Sequence, residues 1–190
     1  MNEAMDWSLT TFSKLADAYH NQASFVPPGS LQATLAARYG AIMSFVDSDR
    51  LWPPHAQTKS KFVPFLCEVL SRLPDEDFTR LDDNILSIVL EDPATCRMLA
   101  VNVKAPSFPR LEKESGGDTI IFYHDCWRFT GAALVGLIAH EFAHSLVCGQ
   151  DYQSDEIAAD AKAESWGFKS ELARLEAEKR ILFQAPDRAS

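Results

Sequence analysis

Apolar positions recur at helical spacing twice before residue 50: Leu9, Phe12, Ala16 and Tyr19, then Leu31, Leu35, Tyr39, Ile42 and Val46. Phe25-Val26-Pro27-Pro28-Gly29-Ser30 breaks the run between them, so two amphipathic helices are predicted to open the chain. After Leu51-Trp52-Pro53-Pro54 a third helical pattern (Phe62, Phe65, Leu66, Val69, Leu70, Leu73) starts from a Ser60 cap, takes Pro64 in its first turn and ends near Pro74. From Asn84 the period shortens. Ile85 to Leu90 and Met98 to Val103 read as strands joined by a hairpin loop, Glu91-Asp92-Pro93-Ala94-Thr95. Thr119 to Tyr123 reads as a third strand, after the polar loop Glu112 to Asp118. Thr130 caps a helix running to about Cys148 and stopped by Gly149, and Ser154 caps a last helix reaching about Phe183.

This order predicts an α+β fold in one domain, residues 1–190. A helical part spans 1–83; a small mixed or antiparallel sheet of three to four strands and two closing helices occupy 84–190. With 190 residues, 46% of them hydrophobic, the chain can bury a real core, which excludes a mostly disordered protein. Lys plus Arg number 18 against 27 Asp plus Glu, a net charge of −9, so the footprint for a phosphate backbone or an anionic membrane is missing. Neither nucleic acid nor a membrane is an expected partner. The longest apolar stretch, Gly131 to Ala139, falls short of the roughly 20 residues that span a bilayer. Met1-Asn2-Glu3-Ala4-Met5-Asp6 is acidic where a secretory signal needs positive charge, so a soluble, cytoplasmic protein is expected. Cys67, Cys96, Cys126 and Cys148 lie far apart without a CxxC pair and are expected to be reduced thiols.

One segment carries chemistry. His140-Glu141-Phe142-Ala143-His144 is an HExxH motif, and positions i and i+4 share a helix face, so both imidazoles can reach a single ion while Glu141 projects to one side. Leu134, Val135, Leu137, Ile138, Phe142 and Leu146 surround it, so the helix drags two histidines and a glutamate into an apolar setting unless a metal compensates them. The alternative is a pair of core histidines satisfied by hydrogen bonds.

A catalytic zinc takes three protein ligands and keeps one position open for water. Glu156 is the best third donor: 11 residues separate it from His144, enough for a helix–turn–helix return, and Asp160 stands four further on along the same face. Ala158, Ala159, Ala161 and Ala163 let the two helices approach closely. Asp160 suits the acceptor for the second ring N–H of a ligating histidine. Asp151, Asp155 and His124 stay open as alternatives for the third position. Cys148 is about 12 Å along the axis from His140, too far to share its ion. A donor for the developing oxyanion is wanted as well, and Tyr123, His124, Arg128 and Tyr152 carry suitable groups.

The paired motifs, HExxH at 140–144 and Glu-x-x-Ala-Asp at 156–160, resemble zinc metallopeptidases of the gluzincin kind over roughly residues 119–170. The short spacing resembles the minimal soluble gluzincins and the ImmA/IrrE-type peptidases. Ser145-Leu146-Val147 after His144 does not continue into HExxHxxGxxH, so the metzincin pattern fails. The resemblance implies a zincin-like fold, one Zn2+ per chain on His140, His144 and Glu156, Glu141 as general base, and a peptide or protein substrate. The substrate is expected to lie along the third strand at Ile121, Phe122 and Tyr123, adding itself to the sheet edge. One competing expectation is a regulatory protein that keeps the metal as a structural clamp, has lost hydrolysis and binds a partner protein through the N-terminal helices; another is an intact peptidase held latent by an N-terminal helix or the 112–118 loop across the cleft. Retention of Glu141 argues against the clamp, because a structural site needs ligands and no base.

Overall fold

The apolar run after Thr130 becomes the central helix of the molecule, with every residue from Ala133 to His144 buried. The computed structural model describes residues 11–20, 31–52, 56–90, 99–103, 117–147 and 151–184. In chain order these form α1 (Thr11–His20), α2 (Leu31–Asp47), β1 (Leu51–Trp52), α3 (Ala56–Arg72), α4 (Asp75–Asn84), β2 (Ile85–Leu90), β3 (Ala100–Val103), β4 (Asp118–Phe122), a 3-10 turn (His124–Arg128), α5 (Gly131–His144), α6 (Tyr152–Ser165) and α7 (Lys169–Gln184). The class is α+β, as the pattern predicts, with a small mixed sheet of four strands.

The sheet runs β1-β2-β4-β3, with β1 parallel to β2, β2 parallel to β4, and β3 antiparallel to β4. The expected hairpin between the second and third of these strands does not form: β4 lies between β2 and β3. Burial explains the choice. Ile88 and Leu90 face Ile120 and Phe122 in register, all four wholly inside, and strands buried this completely belong in the middle of the sheet. Ile121, between two buried neighbours, is only half-buried, so β4 alternates although its sequence does not. A register shift between Ile85 and Ser87 resets the phase of β2 and lets Ile85 and Ile88, three apart, both point inward.

Several boundaries depart from expectation. α3 begins at Ala56, so Pro64 sits inside it, where it removes one backbone donor. α4 is an extra helix: Asp75, Glu76 and Asp77 place negative charge on its first turn, and the Phe78 amide bonds the Pro74 carbonyl at 2.9 Å. α5 stops at His144 with a tightened turn, Ser145 N to Phe142 O and Leu146 N to Ala143 O, rather than running on; Cys148 and Gly149 lie outside the described residues. The single helix expected from Ser154 to Phe183 is two. Gly167 takes φ 90°, its amide bonds Glu164 O at 2.9 Å, and the Phe168 amide bonds Ala163 O at 3.2 Å. Those two bonds and the fully buried Phe168 make a Schellman cap.

One cluster of buried side chains reaches from Leu15 on α1 to Leu175 on α7. The N-terminal helices join it through Ile42, Phe45 and Val46, and Phe45 meets Phe142 of α5 at 6.5 Å between ring centres. Polar groups also bind α3 and α4 to the C-terminal helices: Asp77 accepts from Trp166 Nε1 and Lys162 Nζ, both at 2.8 Å, and Arg72 bonds Glu171 and the Gly167 carbonyl. Cys67 and Cys126 are buried free thiols, and burial pushes the Cys67 thiol up to about 12. Among the described residues no helix is long and apolar enough to cross a membrane.

Candidate metal centre

α5 places His140 and His144 one turn apart, with ring planes at 87° and centres 4.7 Å apart. α6 faces them across Ala159 and Ala163, both fully buried; Ala161 points outward and Ala158 is half-buried, so two of the four small residues serve the close approach. That approach delivers Glu156. Its carboxylate oxygens lie 3.2 Å from His140 Nε2 and 3.5 Å from His144 Nε2, while the two Nε2 atoms are 3.1 Å apart. Donors about 2.05 Å from a tetrahedral ion stand about 3.3 Å from one another, so these separations bracket the value a single zinc requires.

The other ring nitrogens are held as well. His140 Nδ1 is 2.8 Å from Asp160 Oδ1, and His144 Nδ1 is 3.0 Å from Asp155 Oδ2. Ionised carboxylates can only accept, so each Nδ1 carries its proton and a neutral ring presents its lone pair at Nε2. With both rings neutral, two lone pairs and an anionic carboxylate converge on one point, a repulsion that a metal ion or a proton on Nε2 relieves. Among the described residues, His140, His144 and Glu156 are the group of His, Cys, Asp and Glu side chains that can hold a metal ion.

The electrostatics are consistent with this. Burial works to discharge His140, but the Asp160 hydrogen bond and the Glu141, Asp160 and Glu156 charges outweigh it and raise its pKa. His144 is lowered by burial and by His140 facing it, against the pull of Glu156 and Asp155. Two imidazolium charges 3.1 Å apart are too costly, so the pair favours a single positive charge. Asp160 is lowered by its bond to His140. Glu141, 6% exposed, is pushed up to about 7, chiefly by burial, with Glu156 adding to the rise and His140 opposing it.

The structure thus brings together His140, His144, Glu156 and Asp160 and separates the alternatives. Asp151 caps α6, accepting from the Ser154 amide at 2.8 Å in a capping box, so the helix starts at Tyr152 and Ser154 is not its cap. Asp155 is no third ligand but the acceptor that holds His144; the sign of it in sequence is that two metal-binding histidines need two acceptors. The His124 side chain lies outside the described positions. Sequence reading also misses Asn102: its Nδ2 donates to Glu141 O at 3.1 Å and Ser145 Oγ at 2.7 Å, fastening β3 to the last turn of α5, and its Oδ1 is buried without a partner among the described residues. Asn84 adds a bond to Ser145 O at 3.0 Å.

The expected substrate strand is corrected. β4 has β2 on one edge and β3 on the other, so a peptide cannot add to it. Phe122 is wholly buried against Phe62, ring centres 5.0 Å apart, while Ile121 and Tyr123 are half-buried. The sheet edge nearest the histidines belongs to β3 among the described residues.

No protein family, curated protein or solved structure matches the chain. The chemistry is therefore read from the residues alone.

Proposed function

We propose that this protein is a zinc-dependent peptidase of the gluzincin type with a zincin-like fold, hydrolysing peptide bonds in a peptide or protein substrate. The observation that carries the reading is the convergence of His140 Nε2, His144 Nε2 and Glu156 within 3.1–3.5 Å, each imidazole locked from behind by its own aspartate, directly beside Glu141. His₂Glu with an open position suits zinc.

A zinc ion held there supplies a Lewis acid that polarises the scissile carbonyl and brings the pKa of water toward about 7. Glu141 does the proton work. Buried beside the two histidines, it is placed to take a proton from the attacking water and return it to the leaving amine. Asp155 and Asp160 hold both rings in the tautomer that leaves Nε2 free. Asn102 steadies the backbone carbonyl of Glu141 itself. An extended substrate is brought past Glu141 by pairing with β3, the edge strand beside the site.

Elemental analysis of the purified protein tests the site: near one zinc per chain, lost in His144→Ala and in Glu156→Ala. Glu141→Gln then separates ligation from chemistry, keeping zinc and fold while abolishing cleavage of a peptide library. Absence of metal after zinc is supplied, or undiminished cleavage by Glu141→Gln, refutes the proposal.

A further inference from the structure

The last turn of α5, which carries His144, is fastened from outside the helix. The Ser145 amide, the helical partner of the Glu141 carbonyl, bonds Phe142 O at 3.1 Å. A side chain supplies a donor to Glu141 O: Asn102 Nδ2 of β3, at 3.1 Å. The same nitrogen gives its second hydrogen to Ser145 Oγ at 2.7 Å. Asn84, at the end of α4, makes a comparable bond to this turn, but at Ser145 O, 3.0 Å away.

What the Asn102 amide faces dictates its orientation. A carbonyl only accepts, so Nδ2 must turn toward Glu141 O, and Oδ1 is left buried with no hydrogen-bond partner among the described residues. Burying an acceptor unpaired costs about as much as the two donated bonds return, so the amide adds little to stability. Its distinction is where it stands. β3 is an edge of the sheet, in register with β4 through Asn102 and Ile120, so the residue that grips Glu141 belongs to the strand an extended peptide would pair with.

We propose that Asn102 is a positioning residue: it ties the strand that receives the substrate to the backbone of the general base, and so sets how far the scissile carbonyl stands from the Glu141 carboxylate. The inference rests on the peptidase reading above. The tie is one short side chain between a strand and a helix, which leaves it little slack. Peptide pairing uses the main chain of β3, which a change of side chain leaves in place. Substitution is therefore expected to spare binding and to misplace Glu141 against the bound peptide, and a shift of about 1 Å at a reacting group costs up to about 10²-fold in rate.

The test compares the zinc-loaded parent, Asn102→Ala and Asn84→Ala on the best-cleaved library peptide. Each should hold one zinc per chain. Asn102→Ala should keep KM within about twofold while kcat falls by roughly 10–10²-fold; Asn84→Ala, which removes a bond from the same turn, should keep both within about twofold. A second readout needs no turnover: the uncleaved peptide should bind Glu141→Gln with the same affinity whether or not Asn102→Ala is added. Asn102→Val, suited to a strand and equally without a donor, repeats the comparison if Asn102→Ala does not fold. A kcat within about twofold of the parent, equal losses in Asn102→Ala and Asn84→Ala, a loss carried by KM or by peptide affinity, loss of zinc, or failure of both Asn102 variants to fold overturns the role of Asn102 and leaves the peptidase reading standing. A parent that holds zinc but cleaves no library peptide overturns that reading, and this inference with it.

Discussion

Gly136 lies one turn before His140 at the contact between α5 and α7, and a methyl group there is expected to destabilise the protein although it favours the helix. A Cβ built on Gly136 meets the Glu171 backbone oxygen at 2.6 Å, its carbon at 2.7 Å and the Leu172 nitrogen at 3.1 Å. Ordinary contact begins near 3.4 Å, so the first turn of α7 must retreat by about 0.8 Å, and backbone cannot swing aside as a side-chain tip does. Overpacking of this kind costs about 1–3 kcal/mol, toward the upper end here because the obstacle is main chain. Ala gains about 1 kcal/mol over Gly in a helix interior. Gly136→Ala is therefore expected to lose about 2 kcal/mol net. Gly40, inside α2 with nothing within 4 Å of its added Cβ, is the control: the same substitution there should gain up to about 1 kcal/mol. Urea denaturation of the chelator-treated protein, followed by circular dichroism, reads both. For a chain of this size about 2 kcal/mol lowers the melting temperature by roughly 4–8 °C. If Gly136→Ala is as stable as the parent, or moves with Gly40→Ala, the close approach of α5 and α7 is refuted.

Asp155→Asn and Asp160→Asn should each weaken zinc binding by about 10–100-fold without unfolding the protein, measured by competition with a chromogenic chelator; unchanged affinity in both means that these carboxylates do not orient the histidines. Asp77 is subject to burial, which raises its pKa, but bonds from Lys162 and Trp166 outweigh it and hold the carboxyl below its usual range. Its contribution is thus whole above the unfolded pKa of about 3.9 and disappears as pH falls through the lower folded value. Asp77→Asn should cost about 1–3 kcal/mol at pH 7, and the gap to the parent should begin to narrow as pH falls below about 4; a gap that stays constant as the pH is lowered further contradicts the assignment.

The candidate metal ligands were legible because a helix is a local object. His140 and His144 share a face by the 3.6-residue period alone, and the same period puts Asp160 one turn beyond Glu156 on the next helix. The capping of α5 by Thr130 is equally local and is found as expected. The Schellman stop at Trp166-Gly167-Phe168 is local too, but the helical pattern resumes directly after it and hides the break.

The tertiary structure decided everything that depends on distant partners. Asp151, Asp155 and Glu156 are three carboxylates within six residues; Asp151 caps α6 locally, but only the docking of α6 on α5 makes Asp155 a histidine anchor and Glu156 a candidate ligand. The sheet order is non-local in the same sense. β2 prefers β4, 28 residues beyond it, over the nearer β3 because Ile88, Leu90, Ile120 and Phe122 bury one another there, a gain that no local window registers. Period and capping act within a turn or two of chain, whereas strand order and the use of each carboxylate are settled by burial among residues brought together only in the folded core.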